Sequence, residues 1–116
     1  MPKNDYFRIV YRILNTLYEY MRKGLTANPD AISAKVLGIE YGYRNQVLMN
    51  LLEDGYIKGV RVVSYFGGET ASGYMAIEDI NDIAITTRGM EYLKDNAMMK
   101  NVYQFLKGVK EIIPGV

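Results

Sequence analysis

The sequence predicts an α+β fold in which three helices precede a β-hairpin and two further helices follow it. From Val47 to Leu52 the apolar residues recur at the spacing of a helix. From Tyr56 to Val63 they favour a strand instead. Gly55 stands between the two patterns, where a glycine readily adopts the left-handed conformation that ends many helices. A helix that leads into a strand through one glycine indicates two layers of a small core.

The first helix is predicted to begin at Asp5, a residue type that caps helix N-termini. It is expected to end at about Arg22 or Lys23, before Gly24. One side of this helix is apolar and consists of Phe7, Ile9, Val10, Ile13, Leu14, Leu17 and Met21. We interpret this stripe as a core-facing surface, and a dimer interface at one end of it is the alternative.

Residues 28–54 carry the predicted helix-turn-helix. Asn28-Pro29-Asp30 is a break and a cap, after which a short helix is expected over about 31–37. A turn over 39–42 then leads to a third helix over about 43–54. On a helical wheel the leucines of the third helix face inward, with Val47 and Arg44 at the edge. The residues that face outward are Tyr43, Gln46, Met49, Asn50 and Glu53.

The predicted β-structure follows this third helix. A strand over 56–63 leads into the turn-rich segment 65–73, which has the composition of a hairpin tip. A brief strand is expected over 74–77, then an acidic connection over 78–82 and a returning strand over 83–85.

Two helices are predicted after the β-structure. The first has Thr86 or Thr87 as its cap and ends at Asn96, and the sequence leaves the choice of cap open. The second is expected over about 98–113 and ends before Pro114-Gly115. Its apolar stripe consists of Met98, Val102, Phe105, Leu106, Val109, Ile112 and Ile113.

This order of elements is that of a winged helix-turn-helix, three helices plus a β-wing, with two additional C-terminal helices. The 116 residues suit a single domain. In it, residues 1–63 form the tri-helical core and the first wing strand, 64–85 the wing, and 86–116 the C-terminal helices. The long terminal helices either pack on each other or form a homodimer interface, and the sequence leaves both arrangements open.

Composition excludes several classes of activity. The sequence has no Cys and no His, so disulfides, zinc sites and a Ser-His-Asp triad are excluded. We interpret Glu78, Asp79 and Asp82 as a solvated acidic loop, and Gly67-Gly68 lacks the pattern of a phosphate-binding loop. We therefore predict a protein that is not an enzyme and has no catalytic, metal or cofactor site.

Hydropathy favours a cytoplasmic protein that makes no use of a membrane. The apolar fraction is 49% and the charged fraction is 23%, as in ordinary globular chains. No run approaches the roughly 20 apolar residues of a membrane span. The first eight residues contain no apolar signal core.

The first functional hypothesis is binding of double-stranded DNA by the third helix and the wing. The candidate contact residues are Tyr43, Arg44, Gln46, Asn50, Lys58 and Arg61. Gln and Asn side chains can pair with adenine edges, whereas Tyr and basic side chains contact phosphates. Local charge opposes this hypothesis, because DNA affinity depends on phosphate neutralisation. Residues 24–55 contain two basic and four acidic side chains, and residues 64–82 contain four acidic and no basic ones.

The alternative hypothesis is a protein-protein interaction module on the same scaffold, without DNA binding. Aromatic residues cluster around the predicted turn and wing, namely Tyr41, Tyr43, Tyr65, Phe66 and Tyr74. Tyrosine is enriched at the centres of protein interfaces. Packing of these rings within the domain itself is the competing interpretation.

Four segments of the chain resemble a known family. They are DYFRIV from Asp5, LEDGYIKGV from Leu52, ITTRGMEYL from Ile85 and LKGVKEIIPG from Leu106. The chain resembles the YjcQ-like family of small bacterial and phage-associated proteins over nearly its whole length. The resemblance implies a winged-helix-like fold and a phage or prophage setting. It implies no activity and therefore assigns no functional residue.

Overall fold

The computed structural model describes residues 5–67 and 70–96, with side chains described outside residues 65–75. The described residues form an α+β structure with four α-helices and small antiparallel sheets, which is compatible with a winged helix. In chain order the elements are α1 (Asp5–Arg22), a 3-10 helix (Pro29–Ile32), α2 (Ala34–Leu37), α3 (Tyr41–Glu53), β1 (Ile57–Lys58), β2 (Arg61–Gly67), β3 (Thr70–Asp79), β4 (Ala84–Ile85) and α4 (Thr87–Asp95). Among these described helices, none is long and apolar enough to cross a membrane.

Helix α1 has the predicted bounds, but its buried stripe is shorter than predicted. The buried apolar residues of α1 are Ile9, Val10, Tyr11, Ile13, Leu14 and Leu17. Phe7 is 53% exposed and Met21 is 43% exposed, so the prediction that they belong to the core-facing stripe is wrong. Apolar burial extends only from Ile9 to Leu17, which leaves the apolar side chains of the first and last turns outside the core.

The predicted short helix over 31–37 is two elements in the structure. Asn28 caps the 3-10 helix, because its side-chain oxygen accepts a hydrogen bond from the Asp30 backbone N–H at 3.0 Å. Ser33 then interrupts the helix with an extended conformation, and its Oγ accepts from the Val36 N–H at 3.2 Å. This second cap starts α2, which Gly38 ends in the left-handed conformation.

The change from helix to strand occurs at Gly55, as the sequence predicts. Gly55 has a φ of 81°, and the next residue but one begins β1. The predicted strand over 56–63 is interrupted at Gly59, which has a φ of 80°. A Cβ at Gly59 would overlap the carbonyl oxygen of Asp82, so the chain needs glycine there to pass that backbone. The strand is therefore split into β1 and β2.

The four strands form two separate antiparallel pairs. β1 pairs with β4, with Ile57 opposite Ile85. β2 pairs with β3, with Arg61 opposite Asp79. β3 begins earlier and ends later than the predicted strand over 74–77, and it includes Glu78 and Asp79 from the predicted acidic connection. The cross-strand ion pair between Arg61 Nε and Asp79 Oδ2, 3.4 Å apart, favours this extension of the ladder.

Helix α4 begins against the joint between α3 and β1. Thr86 is its N-cap: its Oγ1 accepts from the Gly89 N–H at 3.0 Å and donates to the Gly55 carbonyl oxygen at 2.6 Å. The Thr86 backbone N–H donates to the carbonyl oxygen of Tyr56 at 3.1 Å. The bonds to Gly55 and Tyr56 attach the start of α4 to the residues that follow α3.

One apolar core joins the helices and the β1–β4 pair. Its largest fully buried side chains are Ile13, Leu14, Leu17, Ile32, Val47, Leu48, Leu51, Ile57 and Ile83. The predicted last helix over 98–113, and with it the predicted homodimer interface through the terminal helices, lies outside the described residues.

Candidate functional site

Helix α3 has one buried side and one exposed side. Arg44, Val47, Leu48 and Leu51 are buried. The exposed residues of the helix are Tyr41, Gly42, Gln46, Asn50 and Glu53. We call Tyr41, Gln46, Asn50 and Glu53, together with Tyr6 and Phe7 of α1, the α3 outer surface.

The first turn of α1 lies against this side of α3. Asn50 Nδ2 donates a hydrogen bond to the Tyr6 hydroxyl oxygen at 3.2 Å. The Tyr6 and Phe7 rings meet edge to face, with centroids 5.1 Å apart. The exposed Phe7 ring thus contacts the side chain that bonds to Asn50 of α3. The sequence pattern predicts Phe7 only as part of the α1 stripe, with a dimer interface as the alternative, and it predicts no role for Tyr6.

A second contact joins the two helices two turns earlier on α3. The Tyr43 hydroxyl donates to Asp5 Oδ2 at 3.4 Å, and Arg8 Nη2 donates to Asp5 Oδ1 at 2.9 Å. Desolvation raises the pKa of Tyr43, and the negative charge of Asp5 and their hydrogen bond raise it further. Tyr43 therefore stays neutral and donates to Asp5, and it is half-buried rather than turned fully to solvent.

Arg44 is held inside the protein. It is 8% exposed, its Nη1 donates to the Ile32 carbonyl oxygen at 3.3 Å, and its Nε donates to Asn45 Oδ1 at 2.9 Å. Its guanidinium carbon also lies 5.3 Å from the centroid of the Tyr41 ring. Arg44 is one of the residues predicted to contact nucleic acid, and in this structure its donors are directed at the protein.

The other two predicted cations differ from each other. Lys58 is exposed on β1 and has no ion-pair partner among the described residues. Arg61 is exposed but is paired with Asp79 across the β2–β3 ladder. Three exposed carboxylates lie at the ends of α3, those of Glu40, Glu53 and Asp54. Since Arg44 is buried, α3 itself presents no exposed basic side chain.

A cleft of about 400 Å³ adjoins the start of α3. It is lined by Ala34, Lys35, Gly38, Ile39, Glu40 and Tyr43. Glu40 is the N-cap of α3, but its side chain makes no capping hydrogen bond. The cleft lies between α2 and the start of α3.

The acidic residues around β3 do not converge. Asp79 Oδ1 accepts from the Asn81 backbone N–H at 3.1 Å, while its other oxygen pairs with Arg61. Within residues 5–67 and 70–96 no group of three acidic side chains is arranged to hold a metal ion.

The structure brings together part of the predicted site. Gln46 and Asn50 share the outer side of α3 and Tyr43 lies next to it. Of the aromatic residues predicted to meet a protein partner, Tyr41 is 64% exposed. The other three aromatic side chains of this prediction lie outside the described part of the structure, namely those of Tyr65, Phe66 and Tyr74.

A family model matches most of the chain. The family model described as YjcQ protein matches residues 11–112. No curated protein and no solved structure matches the chain.

Proposed function

We propose that this chain, which belongs to the YjcQ family, is a non-enzymatic recognition protein that binds a protein partner through the α3 outer surface. In this proposal the scaffold is a winged helix-turn-helix, and the protein acts in the cytoplasm in a phage or prophage setting. The partner presents basic side chains opposite the carboxylates at the ends of α3.

The observation that carries this proposal is the charge of the surface. DNA binding draws most of its non-specific affinity from Lys and Arg side chains that neutralise phosphates. On α3 the single basic residue is buried, whereas Glu40, Glu53 and Asp54 are exposed. A duplex laid along α3 would meet these carboxylates without compensating cations from the helix. A protein with basic side chains would meet complementary charge.

The aromatic content of the surface supports the same proposal. Phe7 and Tyr41 are 53% and 64% exposed. Aromatic anchors surrounded by polar groups are typical of the residues that dominate protein-protein binding energy. The Phe7 ring is held by its contact with Tyr6, so little side-chain freedom is lost when a partner covers it.

Binding of double-stranded DNA is the second candidate, and a specific observation favours it. Gln46 and Asn50 are exposed one turn apart on α3, which is the arrangement for contacts with neighbouring base edges. Lys35 and Lys58 are exposed on the neighbouring α2 and β1 and are available for phosphates. If the protein binds DNA in this way, its role is regulatory.

Site-specific photo-crosslinking tests the first candidate. A photoreactive phenylalanine analogue is placed at Gln46 and, as a control, at Lys94 on the exposed side of α4, and both variants are irradiated in the cells that encode the protein. We expect one discrete protein adduct from position 46 and none from position 94. Equal labelling from both positions, or none from position 46, would contradict the proposal.

A titration with random duplex DNA at low and moderate salt tests the second candidate. We expect no salt-sensitive binding, because α3 itself presents no exposed basic side chain that could neutralise phosphates. Salt-sensitive binding that Gln46→Ala with Asn50→Ala abolishes, in a chain that remains folded, would instead establish DNA as the ligand.

A further inference from the structure

The first turn of α1 is the nearest support of the α3 outer surface. The Tyr6 hydroxyl oxygen accepts from Asn50 Nδ2 at 3.2 Å, across 44 residues of sequence. Asn50 is otherwise exposed, and an exposed amide that makes no such bond samples several rotamers. The bond to Tyr6 selects one of them.

Gln46 is the natural comparison within the same helix. It lies one turn before Asn50, is exposed, and makes no hydrogen bond to the described residues. The Asn50 amide thus has a tyrosine hydroxyl as its partner, whereas the Gln46 amide, which is one methylene longer, has no partner among the described residues.

The geometry points to Tyr6 as a positioning residue for partner binding, acting through the side-chain amide of Asn50. This inference rests on the proposed function, because it assigns a role within the same surface. One amide hydrogen of Asn50 is directed at Tyr6, so the second hydrogen and the carbonyl oxygen are held in fixed directions for a partner. Tyr6 also carries Phe7, its edge-to-face neighbour, so one side chain orders both a polar and an aromatic contact.

The expected size of the effect follows from side-chain entropy. Immobilising a flexible side chain on binding weakens affinity by about two- to tenfold. The Tyr6 hydroxyl removes this cost before the partner arrives. Tyr6→Phe removes the hydroxyl and keeps the ring against Phe7, so it is the matched variant.

The experiment has one arm on the free protein and one on the complex. In the free protein, ¹⁵N relaxation measures the order of the Asn50 side-chain amide, with the Gln46 amide as an internal reference. We expect the Asn50 amide to be less ordered in Tyr6→Phe than in the wild type, and the Gln46 amide to be the same in both proteins. An Asn50 amide that Tyr6→Phe leaves unchanged would overturn the inference.

In the second arm the photoreactive residue replaces Gln46, and the yield of the partner adduct is measured in Tyr6→Phe, Asn50→Ala and the double variant. We expect each single change to lower the yield about two- to tenfold, and the double variant to lower it no further than Asn50→Ala alone. Additive losses would show that Tyr6 acts independently of Asn50 and would overturn the inference, as would an undiminished yield in Tyr6→Phe.

Failure of the proposed function gives a different result. A wild-type chain with no adduct at position 46 refutes partner binding at this surface. The relaxation arm still decides whether Tyr6 orders Asn50, because it needs no partner.

Discussion

Replacing Gly89 with alanine is expected to destabilise the protein, although alanine is the better helix former. Gly89 lies in the first turn of α4 and is buried. A Cβ at this position would overlap the carbonyl oxygen of Tyr56 and lie 2.7 Å from Cγ1 of Ile85. The Tyr56 carbonyl cannot easily move, because it accepts the hydrogen bond from the Thr86 N–H. The added methyl group must therefore push α4 away from the joint between α3 and β1.

The magnitude follows from two opposing contributions. Overpacking of a fixed core costs about 1–3 kcal/mol, and the upper end applies here because the obstructing oxygen is backbone. Alanine regains about 1 kcal/mol through its helix propensity. The net loss is therefore about 2 kcal/mol, or roughly 8 °C in melting temperature at roughly 4 °C per kcal/mol for a chain of this size.

Gly42→Ala is the matched control. Gly42 also lies in the first turn of a helix, but a Cβ there would have no atom within 4 Å. We expect this variant to melt up to roughly 4 °C above the wild type. Circular dichroism melts of both variants provide the measurement. A Gly89→Ala variant that is as stable as the wild type would refute the close packing of α4 against Tyr56.

Two further predictions concern the same region and the core. Thr86→Val should lower the free energy of unfolding by about 1–2 kcal/mol, because it removes the cap of α4 and the bond to the Gly55 carbonyl. Thr86→Ser retains the hydroxyl and should keep most of the wild-type stability, and a denaturant titration of both variants provides the measurement. Burial raises the pKa of Tyr11 above the ordinary tyrosine value of 10.0. The unfolded state therefore loses this proton at a lower pH than the folded state does. The free energy of unfolding should consequently fall as the pH rises above 10.0. Tyr11→Phe should reduce this fall and change the free energy of unfolding little at pH 7. An equally steep fall with pH in the two proteins would contradict the raised pKa of Tyr11.

The joint between α3 and β1 could be predicted because its cause is local. The helical spacing, Gly55 and the apolar strand that follows are contiguous, and the structure places the transition at Gly55. The interruption of the strand at Gly59 could not be predicted in the same way. Its cause is the backbone of Asp82, which is adjacent only in the folded chain.

The choice of cap for α4 also depends on a distant residue. Thr86 and Thr87 are equivalent in the local pattern. The structure selects Thr86, whose hydroxyl also reaches the Gly55 carbonyl oxygen 31 positions away. The periodicity of the sequence could not predict this contact, because Gly55 and Thr86 are adjacent only in the folded chain.

In the candidate site, too, features with a local cause could be predicted and features that depend on distant residues could not. The exposed side of α3 could be predicted from the wheel, and Gln46 and Asn50 lie on it. The burial of Arg44 could not, because it depends on the Ile32 carbonyl that accepts its hydrogen bond. The hydrogen bond between Tyr6 and Asn50 could not be predicted either, since a tyrosine at the start of an amphipathic helix does not indicate which helix it will contact.

The contact between the start of α1 and α3 has a consequence for anything joined upstream of Asp5. Asp5 itself contacts Tyr43 of α3, so a domain fused upstream by a short linker has a high effective concentration near the α3 outer surface, and this concentration falls as the linker lengthens. A fused tag or domain at this end therefore competes with the partner for access, and an acidic leader is repelled by the same carboxylates that attract a basic partner. Fusion at the amino end is thus a means of controlling occupancy without altering a single residue of the surface.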